Sequence, residues 1–294
     1  TTPYTFFATA GVIERLGATP VFVDIDPQTY NINSGGIERA ISSRTRAIIP
    51  VHLFGQMADM DPIMDLARSY DLRVIEDAAQ AMGAEIDEKA VGTFADFGVF
   101  SFHSHKNITT LGEGGMLTVK DDHIAEIIPM LRHNGHCPFV YKRDQYWLPA
   151  MGNVDFPLLN GKKLWPMNCC LGEVECAVGV KLLGRANQMN AEKRERALAV
   201  IDALSDYPEL IFHREPSTRH NYHLLAAKVK VGLRDAFIRH MADHHDIQCV
   251  VQYCPLNRYP FYQKLSFGAA DLPHTDEFFD NMVSLPFHHL LTDS

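Results

Sequence analysis

The chain has 294 residues, of which 46% are hydrophobic, 21% charged and 10% aromatic, too apolar for disorder and enough for one large domain or two ordinary ones at roughly 150 residues each. With 36 acidic and 27 basic residues its formal charge is -9, so no overall positive field draws it to nucleic acid or anionic lipid. No apolar run reaches the roughly 18 residues of a membrane span, and the six cysteines (Cys137, Cys169, Cys170, Cys176, Cys249, Cys254) lack paired C-x-x-C spacing, which predicts free thiols in a reducing cytoplasm.

The first half alternates short apolar runs with helical patterns, the signature of βαβ units, so the expected fold is α/β with a mainly parallel sheet flanked by helices. Residues 20–24 (PVFVD) read as a buried strand. Asn33 and Ser34 can cap a helix with Ile37, Ala40 and Ile41 on one face. Residues 47–51 form the next strand, ending at Pro50. Asp59 and Asp61 open a helix through Ile63, Met64, Leu66 and Ala67, because early acids suit the positive helix start. A third strand, 72–75, stops at Glu76 and Asp77, two acids where open α/β sheets place their ligands.

Residues 97–102 and 116–119 frame a polar loop that is predicted to lie between two buried strands. The stretch 133–168 is irregular, a length that points to function or to an interface. Helices follow at about 171–183 and 191–204; then 222–229, a helix near 235–242, and 249–253 predict a smaller C-terminal α+β domain. A boundary near Arg185 divides the chain into a large domain, 1–185, and a small one, 186–294.

Asp77 and Lys106 each lie just beyond the carboxyl end of an expected strand, so neighbouring strands would bring them into one crevice. A lysine there can form a Schiff base, and a carboxylate facing a pyridine nitrogen keeps it protonated, the pairing that pyridoxal phosphate chemistry requires. Spacing alone leaves the bland alternative open, since most lysines are solvated and most strand-end aspartates cap turns.

The segments VIEDAAQ (74–80), SFHSHKN (101–107) and GEGG (112–115) resemble the DegT/DnrJ/StrS-type sugar aminotransferases, which are fold-type-I pyridoxal phosphate enzymes. The resemblance extends from TFFAT (5–9) and GATPVFVD (17–24), through PVHLFG (50–55), to SLP (284–286). It implies Lys106 as the Schiff-base lysine and proton shuttle, Asp77 on the pyridine nitrogen, and Gln80 near the ring hydroxyl. It also implies Phe6 stacked on the ring, Ser101 as a phosphate ligand, and Asn168 reaching the phosphate of a neighbouring subunit in a homodimer. Taken singly, Phe6 could be core, Gln80 and Ser101 turn polars, and Asn168 the cap of the helix near 171.

The implied cofactor is pyridoxal 5'-phosphate. The implied reaction moves an amino group from glutamate or glutamine to a keto sugar, nucleotide-linked or an inosose, in surface-polysaccharide or secondary-metabolite biosynthesis. Partners are thus a keto-sugar substrate and an amino-acid donor, with no nucleic acid and no membrane. The family has a further N-terminal segment whose helix start holds the cofactor phosphate, and a final helix. The chain begins after the one and stops before the other, which predicts a piece of a longer enzyme, with a truncated inactive relative as the alternative. Cys170 stands where the family usually has arginine, and Gln252 where many members have histidine, so substrate choice is left open.

The fifteen histidines include no H-E-x-x-H or Cys/His zinc spacing, so no metal is expected. His105 precedes Lys106; related sugar dehydratases replace the lysine with histidine, so its presence favours transamination. A dehydratase, or a non-catalytic binding or regulatory relative, is the alternative reading.

Overall fold

The computed structural model describes residues 1–137, 153–213, 218–265, 270–288 and 290; part of the irregular stretch expected at 133–168 lies outside the described residues. Helix α1 (Ala8–Arg15) is followed by α2 (Ser34–Ala40), where Asn33 Oδ1 accepts the Gly35 N–H at 3.0 Å and satisfies an orphan donor of the first turn. Strand β1 (Ala47–Ile48) precedes α3 (Met60–Ser69), which starts after Asp59 and buries Met60, Ile63 and Ala67 as one stripe. Then come β2 (Arg73–Asp77), the hairpin β3 (Glu85–Ile86) and β4 (Lys89–Ala90), and β5 (Phe97–Ser101) with β6 (Gly115–Val119). Helix α4 (Asp122–Arg132) and the hairpin β7 (Leu158–Leu159) with β8 (Lys162–Lys163) lead to two long helices, α5 (Glu173–Leu183) and α6 (Ala186–Ala203). The C-terminal part holds β9 (Leu210–Phe212), β10 (Thr218–Arg219), β11 (Leu225–Val229), α7 (Arg234–His245), α8 (Pro260–Lys264), α9 (Pro273–Asn281) and β12 (Met282–Leu285).

One sheet has the order β1-β2-β5-β6, with β1 and β2, and β2 and β5, parallel and β6 antiparallel to β5. Its core is packed by Ile48, Val74 and Phe100 against Ile63 and Ala67 of α3. A second, antiparallel sheet runs β12-β11-β9. Between them Tyr4, Tyr30, Leu53 and Phe54 pack on Ala226 and Phe278, so N-terminal and C-terminal segments share one apolar cluster. At this seam Gly55 adopts φ +99°, and a Cβ there would strike the Asn221 side chain and come within 2.9 Å of the His223 backbone nitrogen. Glycine is required both for the conformation and for the close approach.

Three sequence expectations change. Residues 20–24 form no ladder among the described residues: Phe22 and Val23 are buried, but the backbone bonds are with Thr1 and Asn33. β6 closes the sheet as an edge, so Met116 and Leu117 are exposed and not buried. Glu76 and Asp77 belong to β2 and do not follow it. Successive strand residues face opposite sides, so only one of the two acids can enter the crevice.

Glu76 is fully buried. One carboxylate oxygen accepts from Phe94 N and Ala95 N (2.8 and 2.9 Å), the other from Gly92 N (2.7 Å) and His52 Nε2 (3.0 Å). The Ala58 N–H points at His52 Nδ1 at 3.0 Å, so that nitrogen holds a lone pair, Nε2 carries the proton and the imidazole is neutral. Burial raises the Glu76 pKa, but the hydrogen bonds outweigh it and leave the acid below its usual value. Four hydrogen-bond donors hold this carboxylate.

Glu76→Gln turns an amide N–H2 toward two of these donors and should cost about 3 kcal/mol in urea unfolding at neutral pH. Because the folded pKa is depressed, the carboxylate's contribution is complete above roughly pH 4.3 and is lost as pH falls through the folded value, so the two proteins should converge in acid. Equal unfolding midpoints at pH 7 would contradict this account.

Candidate active site

Asp77 ends β2 on the face opposite to Glu76. Its Oδ2 accepts from Thr9 Oγ1 at 2.7 Å and its Oδ1 from Ala79 N at 3.2 Å. Thr9 lies in the first turn of α1 and its hydroxyl is 3.1 Å from that of Thr5. Lys106 sits in the turn after β5, where its N–H bonds the His103 carbonyl at 2.9 Å. Burial lowers its pKa, and the Asp77 charge works in the opposite direction. The two groups therefore share one electrostatic environment, in which desolvation outweighs the attraction.

Gln80 is buried, and its Oε1 accepts from Phe54 N at 2.9 Å. Its Nε2 donates to no described residue, which leaves that N–H2 as the group able to face a ligand. Phe6 is 48% exposed and lies 6.2 Å, ring to ring, from Tyr253. Burial, and after it the Asp77 charge, push the Tyr253 phenol up to about 12. Ser101 ends β5, with its Oγ accepting from His103 N at 3.3 Å.

Asn168 does not join this group. It is exposed, bridged to His133, and its Oδ1 accepts from Cys170 N at 3.2 Å. It does not cap α5 either, because that position is Gly172. His103 and His105 meet in the turn with ring centroids 5.0 Å apart.

Thr9 and Tyr253 are contributors that sequence reasoning did not single out. Thr9 reaches an acid 68 positions away, and Tyr253 carries no local motif. A cavity of about 450 Å³ lies elsewhere, against Leu204, Tyr207, Leu210 and Phe237. It is apolar and lined by neither Asp77 nor Lys106, so geometry and charge, and not volume, mark the site.

The fold is that of the fold-type-I pyridoxal-phosphate-dependent aminotransferases. Helicobacter pylori PseC, an aminotransferase involved in the biosynthesis of pseudoaminic acid, superposes with a TM-score of 0.87 at 28% identity, over 99% of this chain and 74% of that one. Residues 1–294 match the DegT/DnrJ/EryC1/StrS aminotransferase family, and the chain belongs to it. The spore coat polysaccharide biosynthesis protein SpsC of Bacillus subtilis is 35% identical over 300 residues, covering 100% of this chain and 75% of that protein. The UDP-N-acetyl-3-dehydro-alpha-D-glucosamine 3-aminotransferase of Acidithiobacillus ferrooxidans is 51% identical over 132 residues, 45% of this chain and 36% of that protein.

Burial predicts an unusually reactive Lys106. In the full-length, cofactor-free protein, amine labelling of the Lys106 peptide, followed by mass spectrometry against pH, should have its midpoint below the roughly 10.4 of an unperturbed lysine. A midpoint at or above that value would refute the desolvated site.

Proposed function

We propose that this chain transfers an amino group from glutamate or glutamine to a keto sugar, with pyridoxal 5'-phosphate held between Asp77 and Lys106. The observation that carries the reading is placement: Asp77 ends β2, and Lys106 lies in the turn after β5, the parallel neighbour of β2, within reach of the Asp77 charge. The residues present fit the cofactor: an amine made easier to deprotonate, a carboxylate with one donor on each oxygen, and the neighbouring aromatic rings of Phe6 and Tyr253. When bound, the cofactor supplies an electrophilic carbon and an electron-withdrawing ring.

Lys106 would hold that carbon through its neutral amine and, once released by the amino donor, move the proton at the donor's α-carbon. Asp77 would accept the ring N–H, kept in place by Thr9 and Ala79. Gln80 Nε2 would face the ring oxygen, Phe6 the ring face, Ser101 the phosphate, and Asn168 of the partner subunit the same phosphate. The donor carbon is oxidised to a ketone as the sugar ketone becomes an amine, so the two half-reactions balance without another oxidant. A nucleotide-linked keto sugar is the substrate class favoured by the likeness to the UDP-sugar aminotransferase.

The second copy has its own support. α5 carries many apolar residues yet buries none; Val174 and Val180 are 68% and 72% exposed. A helix apolar on so much of its surface needs a cover. It also borders the lysine loop, since a Cβ on Gly179 would lie 3.1 Å from Thr110. Unpaired thiols at all six cysteines support a reducing compartment, and no described helix is long and apolar enough to cross a membrane.

Lys106→Ala in the full-length enzyme should lower amine transfer about a thousandfold or more and abolish borohydride trapping of the cofactor on its peptide; normal turnover would overturn the assignment. Val180→Glu should convert the dimer to monomer in sedimentation velocity, because a charge on an interface core is strongly disfavoured. An unchanged dimer would remove α5 from the interface.

A further inference from the structure

The backbone that carries Lys106 is fixed one residue later. Asn107 Oδ1 lies 3.2 Å from Lys193 Nζ and 3.1 Å from His223 Nδ1. Its Nδ2 lies 3.3 Å from Asn190 Oδ1 and 3.4 Å from the Asn221 carbonyl oxygen. A carbonyl can only accept and an ammonium can only donate, so the Asn107 amide has one workable orientation. Its oxygen then accepts from both neighbours, and the His223 imidazole must carry its proton on Nδ1.

Lys193 is 8% exposed and donates a second bond, at 3.1 Å, to the His223 carbonyl. It forms no ion pair with any described carboxylate, and burial lowers its pKa to about 8. A buried ammonium without a counter-charge is costly where an apolar side chain of similar volume would stabilise the fold. Burial also holds His223 well below its usual pKa, and the charges of Lys106 and Lys193 act in the same direction. The bonds join three segments: the Lys106 loop, α6 with Asn190 and Lys193, and the approach to β11 with Asn221 and His223.

We propose that Lys193 is a positioning residue for Lys106: it fixes the Asn107 amide, which holds the lysine backbone in place and sets the His223 proton on Nδ1. The inference rests on the assignment of Lys106 made above. It adds residues that never touch the reacting atoms and act through Asn107.

The test uses the full-length, cofactor-free protein as wild type, Lys193→Met, Asn107→Ala and the double variant. Labelling of the Lys106 peptide should slow about tenfold in each single variant and no further in the double, the signature of two residues acting as one unit. Lys193→Gln keeps an N–H donor without the charge and should restore labelling to within about threefold of wild type. In histidine-selective ¹⁵N spectra the His223 Nδ1-bound proton should be lost in Lys193→Met, while the thermal midpoint stays at or above that of wild type. Unchanged labelling in Lys193→Met, or single effects that multiply to about a hundredfold in the double, would overturn the proposal. Borohydride reduction of the loaded wild type separates the two readings. Trapping on a peptide other than that of Lys106 overturns the assignment of Lys106 and this proposal with it; trapping on Lys106 with unaltered labelling overturns this proposal alone.

Discussion

Two consecutive acids on β2 cannot face the same way, and that constraint organises the site. Glu76 points into the core and collects four donors from the 92–95 segment and His52, so a one-residue slip of the strand would place an unsatisfied charge there. The register is therefore strongly specified, and Asp77 is aimed at the opposite face. Pairing of Asp77 with Val99 then sets where β5 ends and where the lysine loop begins. The position of the working acid follows from the burial of its neighbour.

The crevice itself is a seam. From one side come α1, β2 and the loop after β5; from the other come Tyr253 and the segment leading to β11. Asn221 donates to the carbonyls of Gln80 and Met82, and its own N–H reaches the Gly55 carbonyl. Where both sides pack closely, water is excluded, and exclusion of water is what lowers the Lys106 pKa despite a nearby carboxylate. The reactivity of the lysine is thus a property of the packing between distant segments.

Much of this was legible where the signal is local. Asn33 and Ser34 before the face of Ile37, Ala40 and Ile41, and Asp59 and Asp61 before an apolar stripe, announce α2 and α3 because caps and periodicity act within a few residues. Asp77 and Lys106 were readable because strand ends are where open sheets gather ligands. What the local pattern does not carry depends on partners far along the chain: among the described residues, 20–24 have no neighbouring strand and β6 has none on its outer side, and pairing with β5 extends β2 through Glu76 and Asp77. The contacts of Thr9 and Lys193 span 68 and 86 positions, and no local pattern encodes a pairing of that reach.

Glu76 and Lys193 show two different uses of a buried charge. The carboxylate is matched by enough donors to be favourable, and it organises its surroundings as well as stabilising them. The ammonium has two acceptors and no anion among the described residues, so its burial is a net cost that the rest of the fold offsets. Each stands in direct relation to a working group, Glu76 by sharing a peptide bond with Asp77 and Lys193 by gripping the residue after Lys106. In both cases a charge that water cannot reach converts a flexible backbone position into a fixed one, because moving it would strand the charge or its donors in the interior. Precision at the two reacting groups is obtained from side chains that take no part in the reaction.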